Sequence, residues 1–399
     1  MRAKNVANHP PTRIHAIVLT WNRPETLHRC IATALSSLGP QDLLTIIDDS
    51  LPTIFPTNAT LLEMTPTVPA PTRIHISTMR ACEVITQSVS GSYLSWLLKT
   101  AQRDIAPLRN LSLLLSTVVQ AETTVLIDDD IHGFDLAATH SRINELSQSS
   151  KGVIAGAVIR GINEYDTITR LNDAVKMIEK LPAGTKVESI RDLFRTCDTS
   201  SSDAGSACRY VSAGYMAFRL PPERIFAFPP GYNEDWLWCI LQGGETQERV
   251  MCLGESVKHD PPSVRRPTRE DLLFELGGDL VFDCFEELYI ESELNPETIL
   301  SRLLEKFPGP DSMPSARVLE LLDTVSASNQ DENSLIALEE YGLAVLADML
   351  HAGDLDMDWE QFLIDWRDDA IAKHRTVAAT LKNEDAIPAL QTLLQEGRL

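Results

Sequence analysis

Long apolar runs are missing from this sequence of 399 residues. No stretch approaches the roughly 18 apolar residues that a membrane-spanning helix needs. The opening residues, MRAKNVANHPPTR, contain no apolar core of the kind that a secretory signal carries. We therefore expect no transmembrane segment and a cytoplasmic location.

Cysteine pairs with metal-binding spacing are also missing. The seven cysteines are scattered along the chain and none of them forms a CxxC pair. An odd number of scattered cysteines suits a reducing compartment and argues against a disulfide framework or a structural zinc site.

Basic side chains are scarce in the last third of the chain. Residues 271–399 hold 28 acidic and 8 basic side chains, whereas residues 1–270 hold 29 and 27. A strongly acidic segment repels nucleic acid and anionic membrane surfaces, so we expect no nucleic-acid partner. The uneven charge also predicts two parts, a nearly neutral body and an acidic tail domain.

The first part of the chain alternates strand and helix patterns. Apolar, β-branched runs predict strands at residues 13–20, 43–50, 73–78, 123–130 and 152–161. Helical spacing separates several of them, most clearly at residues 24–38 and 109–121. Strands separated by helices predict an α/β fold with a mostly parallel sheet that is covered on both faces.

From about residue 268 apolar residues recur at helical spacing and strand-like alternation is scarce. We predict an α/β domain over residues 1–265 and an acidic, all-α domain over residues 266–399.

The polar, Gly- and Ser-rich residues 196–210 are either a surface insertion or a mobile lid.

Three polar clusters follow predicted strands: Thr20–Arg23, Asp48–Asp49 and Asp128–Asp130. Ligands of such sheets bind beyond the carboxyl ends of the strands, so the three clusters indicate one site. Adjacent carboxylates repel one another unless a cation compensates them. Oxygen ligands suit Mg²⁺ or Mn²⁺, which could bridge the phosphates of a nucleotide.

Five motifs occur in an informative order. They are VLTWNRPETLHRCI at 18–31, LLTIIDDS at 43–50, PLRN at 107–110, VLIDDD at 125–130 and a segment at 212–244 that contains NEDWLW. In this order they resemble the family-2-like glycosyltransferases of GT-A fold, over about residues 13–262. The resemblance implies a glycosyltransferase that uses a nucleotide-sugar donor, most often a UDP-sugar, and a divalent metal.

The resemblance also implies roles for individual residues. Asp48 would read the nucleotide base, with Asp49 as the alternative, and Trp21 would stack on it. Thr20, Arg23, Arg109 and Gly214 would complete the donor site, with both arginines facing the diphosphate. Asp128, Asp129, Asp130 and His259 would hold Mn²⁺ or Mg²⁺, with Asp130 as the first choice. Glu234 and Asp235 fall on the motif that supplies the catalytic base of inverting enzymes.

Several alternatives stay open. Trp21 could belong to the core, Arg23 could pair with an acidic side chain, and Glu234 could hold the acceptor or cap a helix. A nucleotidyltransferase would share the sheet and the aspartates, but TWNRPET lacks the Gly and Lys that its phosphate loop needs. A non-catalytic binding protein is the third alternative. The acceptor is open among glycans, proteins and small molecules, with a soluble acceptor favoured. The acidic domain could bind the acceptor, form a homo-oligomer or dock a basic partner.

Overall fold

The computed structural model describes residues 12–66, 70–88, 105–148, 152–161, 207–208, 211–221, 223, 225–246, 249–260, 268–291, 381 and 386–399. The predicted loop at 196–210, apart from residues 207–208, and the predicted helices between 292 and 380 lie outside these residues. Within the described part no helix is both long and apolar enough to cross a membrane.

One mixed sheet of eight strands organises the fold. In chain order the strands are β1 (Ile14–Thr20), β2 (Leu43–Asp48), β3 (Thr72–Ser77), β4 (Thr123–Asp128), β5 (Ile131–His132), β6 (Val153–Gly161), β7 (Tyr215–Arg219) and β8 (Arg249–His259). Across the sheet they lie in the order β3-β2-β1-β4-β7-β6-β8-β5. The first four strands are mutually parallel, and β7 runs antiparallel to both β4 and β6.

Eight helices are described. They are α1 (Pro24–Ser37), α2 (Phe55–Met64), α3 (Thr78–Ser88), α4 (Ala106–Val119), α5 (Leu136–Ser147), α6 (Glu234–Thr246), α7 (Arg269–Glu291) and α8 (Ala386–Glu396). Proline stands in the first turn of α1, α2 and α4, where its missing N–H has no intrahelical partner to lose.

Two apolar clusters cover the two faces of the sheet. Buried side chains of α1, α2 and α5 pack in one cluster, and those of α3, α4, α6 and α8 pack in the other. The strands between them are buried almost throughout, as expected for a sheet covered on both faces. The α/β part of the predicted fold class is thus confirmed, with a mixed sheet in which only β5 and β7 run against the other six strands.

The end of the described chain packs against its beginning. Helix α8 contributes Ala386, Ala389, Leu390 and Leu393 to the same cluster as α3 and α4. The residues after α8 extend the sheet beside β3, because His75 N donates to Gly397 O at 2.7 Å and Leu399 N donates to Arg73 O at 3.2 Å. Of the predicted C-terminal helical domain, only α7 and α8 lie within the described residues, so its all-α character stays a prediction.

Candidate active site

The polar clusters of neighbouring strands meet at the carboxyl edge of the sheet. Strands β2, β1 and β4 lie side by side, and Thr20 connects their ends. Thr20 O accepts a hydrogen bond from Asp49 N at 2.9 Å, while its hydroxyl donates to Asp129 Oδ2 at 2.6 Å. One residue therefore joins the Asp48–Asp49 pair to the aspartates after β4.

The turn after β1 is fixed to the turn after β2. Asn22 adopts the left-handed conformation with φ of 54°, which asparagine tolerates better than most residues. Its N–H donates to Ser50 Oγ at 2.7 Å, and its side-chain oxygen accepts from Leu51 N at 2.8 Å. Trp21 is 50% exposed on this turn, so it lies on the surface and not in the core.

The three consecutive aspartates have three different surroundings. Asp130 Oδ2 accepts a hydrogen bond from Arg23 at 2.8 Å and lies 3.1 Å from His259 Nε2. Asp129 faces the Thr20 hydroxyl, with Arg23 at 3.6 Å. Asp128 is the most exposed of the three and lies 3.6 Å from Arg109.

These surroundings separate the proton affinities of the aspartates. Burial, reinforced by the charge of Asp130, raises the pKa of Asp129 to about 8. Burial acts in the same direction on Asp130, but His259 and Arg23 outweigh it and lower the pKa of that carboxyl. Burial also raises the pKa of Asp128, against the charge of Arg109. At neutral pH Asp130 is therefore the carboxylate most firmly held in the ionised form.

Two carboxylate oxygens fit a divalent cation. Asp128 Oδ1 and Asp130 Oδ1 are buried and accept no hydrogen bond from the described residues. No group of three His, Cys, Asp or Glu side chains in that part of the chain is arranged as a complete metal site. Mg²⁺ in nucleotide sites commonly takes one or two carboxylates and completes its shell with phosphates and water. The two unpartnered oxygens fit that pattern.

Arg109, on α4, connects the aspartates to the NEDWLW motif. Its guanidinium is buried, donates to Glu234, and lies 3.6 Å from Asp128 and 3.7 Å from Asp235. Burial favours the neutral form, but the three carboxylates outweigh it and raise the pKa of Arg109. The resemblance implies that Arg109 faces a diphosphate, and in the structure its guanidinium lies among three carboxylates whose charge it offsets in part.

Glu234 and Asp235 form the first turn of α6, as the sequence predicts. Asp235 Oδ1 accepts from Trp236 N and Oδ2 accepts from Ala213 N, both at 2.8 Å. Its neighbour Gly214 has little free space, because an added Cβ would stand 3.4 Å from Asp128 Oδ2 and 3.0 Å from Ile159. Trp238 is buried against Phe228 and supports the helix, with ring centroids 4.7 Å apart.

Asp48 and Asp49 differ in whether a carboxylate oxygen is left to accept a further hydrogen bond. Asp48 is 1% exposed and accepts hydrogen bonds from Ser50 N, Asn58 Nδ2 and His75 Nε2, at 2.8–2.9 Å. Burial opposes ionisation, but these bonds lower its pKa. Asp49 is half-buried, and its Oδ1 accepts from the Thr78 hydroxyl. Among the described residues no donor reaches Asp49 Oδ2, so Asp49 has the free acceptor.

Local sequence patterns did not indicate two residues that contact Asp48 and Asp49. Thr78 is the first residue of α3 and His75 lies within β3, and neither belongs to a recognised motif. The signal for Thr78 was its place directly after a strand, next to the other strand-end clusters. His75, whose ring stacks on Phe55 at 4.1 Å, gave no such signal.

No family model matches the chain, and no curated protein sequence matches it. The fold is similar to solved glycosyltransferase structures. One is a mannosyltransferase from Pyrobaculum calidifontis in complex with GDP-Man and Mn²⁺, at 13% identity and TM-score 0.41, over 94% of this chain and 89% of that chain. Another is glucosyl-3-phosphoglycerate synthase from Mycobacterium tuberculosis in complex with Mn²⁺, UDP-glucose and phosphoglyceric acid, at 12% identity and TM-score 0.39, over 67% and 78%. At such low similarity we infer function from the site itself.

Proposed function

We propose that this chain is an inverting glycosyltransferase that moves a sugar from a nucleotide-sugar donor, with UDP-sugars as the first candidates, to an acceptor hydroxyl. The buried Arg109 is the observation that carries the proposal. It holds the metal-type carboxylate Asp128 next to the base-type carboxylates Glu234 and Asp235. An inverting, metal-dependent transferase needs both kinds of carboxylate around one reacting carbon.

Asp128 and Asp130 would hold a divalent cation, Mn²⁺ or Mg²⁺, through their unpartnered oxygens. When bound, such a cation neutralises the negative charge that develops on a leaving diphosphate. Arg23 and His259 compensate the charge of Asp130 and keep it ionised. Asp129 Oδ2 accepts from the Thr20 hydroxyl, and neither oxygen of Asp129 is a buried unpartnered acceptor like those of Asp128 and Asp130, so Asp129 is better suited to orienting Thr20 than to binding metal.

Asp235 is the better candidate for the general base. Glu234 is engaged in a direct ion pair with Arg109, whereas Asp235 stands 3.7 Å from the same guanidinium. The N–H of Ala213 fixes Asp235 beside Gly214, the residue that packs against Asp128. Asp235 would deprotonate the acceptor hydroxyl as that oxygen attacks the anomeric carbon opposite the leaving diphosphate.

The predicted acidic domain, residues 266–399, has a place in this proposal. Helix α7 packs on the helix that carries the base, because Asn233 donates to Asp279 at 2.8 Å and Trp236 packs edge-on against Phe282. We propose that the remainder of this domain contributes to acceptor binding or self-association of a cytoplasmic enzyme. The acceptor class is left open among glycans, proteins and small molecules.

The aspartates provide the test of the proposal. The purified chain is incubated with UDP-sugars and MnCl₂, and released UDP is measured with and without EDTA. Titration calorimetry of UDP then compares wild type with Asp128→Asn, Asp130→Asn and the matched control Asp129→Asn. We expect metal-dependent release, and UDP binding weakened roughly 10- to 100-fold by the first two changes and little by the third.

Two results would contradict this assignment. Equal UDP affinity with and without EDTA would exclude the metal role of Asp128 and Asp130. Loss of UDP binding in Asp129→Asn, with UDP binding kept in Asp130→Asn, would show that the metal is held by other carboxylates than the proposed pair. Absence of nucleotide binding by the folded wild type, across UDP- and GDP-sugars, would reject the proposed function itself.

A further inference from the structure

The carboxyl ends of β1, β2 and β3 lie side by side at one edge of the sheet. Near these ends Trp21, Leu51 and Met79 are large apolar side chains that are exposed, at 50%, 57% and 60%. Each is close in the chain to Asp49 or to a residue that hydrogen-bonds Asp49: Trp21 follows Thr20, Leu51 lies two residues after Asp49, and Met79 follows Thr78. Exposed apolar side chains at strand ends that also carry a carboxylate suit a ligand with a flat ring and a polar edge.

Asp48 is unable to accept a hydrogen bond from the ring N–H of such a ligand. Both of its oxygens are engaged by Ser50, Asn58 and His75, and it is buried. An incoming ring N–H would have to displace one of these donors and leave it unsatisfied, which is unfavourable. The carboxylate that can accept the ring N–H is therefore that of Asp49.

Asp49 offers a single oxygen. The Thr78 hydroxyl donates to Oδ1, and no donor among the described residues reaches Oδ2. Thr78 is buried at the start of α3, so it is held in place beside Oδ1. The backbone N–H of Asp49 is fixed on Thr20 O, which further restricts the direction in which the carboxylate points.

The number of free oxygens discriminates between bases. Uracil and thymine present one ring N–H between two carbonyl groups, which matches one carboxylate oxygen. Guanine presents a ring N–H and an amino group side by side, and this edge binds a carboxylate best through both of its oxygens. Cytosine has no ring N–H to donate in its neutral form.

We propose that Thr78 is a specificity-determining residue that makes Asp49 a single acceptor and so selects a uracil-type base over guanine in the donor. This inference rests on the proposed function, because it assumes that a nucleotide occupies the site. It is separate from the metal assignment, because neither Thr78 nor Asp49 contacts Asp128 or Asp130 through any bond described above.

The test compares UDP and GDP binding in the full chain with MnCl₂ present. Thr78→Val removes the hydroxyl with little change of shape, and Thr78→Ser keeps a hydroxyl at the same place. We expect wild type and Thr78→Ser to prefer UDP. In Thr78→Val the UDP-to-GDP affinity ratio should fall about tenfold, the effect of one hydrogen bond to a charged group. Thermal unfolding monitored by circular dichroism confirms that each variant is folded.

The outcomes distinguish failure of the role of Thr78 from failure of the proposed function. If wild type binds GDP as tightly as UDP, or if Thr78→Val leaves the affinity ratio unchanged, the role of Thr78 is wrong while the proposed function stands. If wild type binds neither nucleotide, the proposed function fails, and the inference fails with it. An Asp49→Ala variant that keeps the wild-type affinity ratio would also overturn the inference.

Discussion

At the scale of single residues, a substitution of Asp235 tests the proposed mechanism most directly. Asp235→Asn keeps the size of the side chain and one oxygen, which can accept from Ala213 N or from Trp236 N but not from both, and an amide is a very poor base. We expect donor binding close to wild type and a turnover that is lower by roughly 10²- to 10⁴-fold. UDP release in steady state, with calorimetry of UDP on the same sample, measures both quantities.

Glu234→Gln is the matched variant for Asp235→Asn. It weakens the ion pair with the buried Arg109 and so should lower stability more than Asp235→Asn does. If Glu234→Gln abolishes turnover while Asp235→Asn keeps it, the base is Glu234. If both variants keep wild-type turnover, the inverting mechanism is wrong.

A second residue-scale prediction concerns His15, which is buried in β1 between Thr45 and Ser116. Burial lowers the pKa of His15 to about 3. The unfolded chain therefore binds a proton at His15 as pH falls below about 6.5, whereas the folded chain does so only near pH 3. The stability that depends on neutral His15 is present above pH 6.5 and is lost as pH falls toward 3. Between pH 8 and pH 5 the loss should be about 2 kcal/mol.

Urea unfolding at a series of pH values tests the His15 prediction. His15→Gln removes the titrating group, so the wild type should lose about 2 kcal/mol more than this variant between pH 8 and pH 5. Comparing slopes and not absolute stabilities removes the effect of the substitution itself. Parallel pH profiles for the two proteins would show that His15 does not titrate with unfolding.

The sequence predicted which residues meet at the site better than it predicted their partners. Strand ends in a parallel sheet converge by geometry, so the convergence of Thr20, Asp49 and Asp129 followed from local patterns. The partners depend on contacts across many residues, such as Arg109 with Glu234 or Asp48 with His75. No local pattern shows that Arg109 would be buried or that Asp48 would be saturated.

At the scale of elements, the strands and helices with strong local periodicity were predicted to within a few residues. The strand at 13–20 is Ile14–Thr20 and the helix at 24–38 is Pro24–Ser37. Strand β7 is short and pairs antiparallel between β4 and β6, and α8 becomes a core element only through α3 and α4. Both depend on tertiary pairing, which local patterns do not contain.

Helix α8 should stabilise the α/β body although it lies far from it in sequence. Leu390 and Leu393 are buried in the cluster shared with α3 and α4, so each truncation to Ala should lower the free energy of unfolding by about 2–5 kcal/mol. The exposed Gln391→Ala, on the same helix, should change it by less than about 0.5 kcal/mol. Urea midpoints measure the three variants, and equal midpoints would show that α8 does not pack as described.

At the scale of the whole molecule, the described parts of the chain close on themselves. Residues 386–399 join the cluster of α3 and α4 and add backbone hydrogen bonds beside β3, and Arg80 pairs with Glu396 through two bonds of 2.9 Å. A boundary near residue 265 divides the composition of the chain, but these contacts cross it. The α/β body and the segment 386–399 should therefore unfold together.

Two shortened chains test this coupling, one ending at residue 268 and one ending at residue 385. The second removes α8 and the strand-like residues after it, and with them four buried apolar side chains and the cover of the β3 edge. Of these four, Leu390 and Leu393 are large, and burial of a large apolar side chain contributes about 1.5–3 kcal/mol, against a total stability of about 5–15 kcal/mol for a typical domain. We expect both shortened chains to unfold at much lower urea than the full chain, in far-UV circular dichroism and tryptophan fluorescence alike. If the chain ending at 268 keeps the full midpoint and still binds UDP, the acidic part is an independent domain and the contacts of α8 contribute nothing to the donor site.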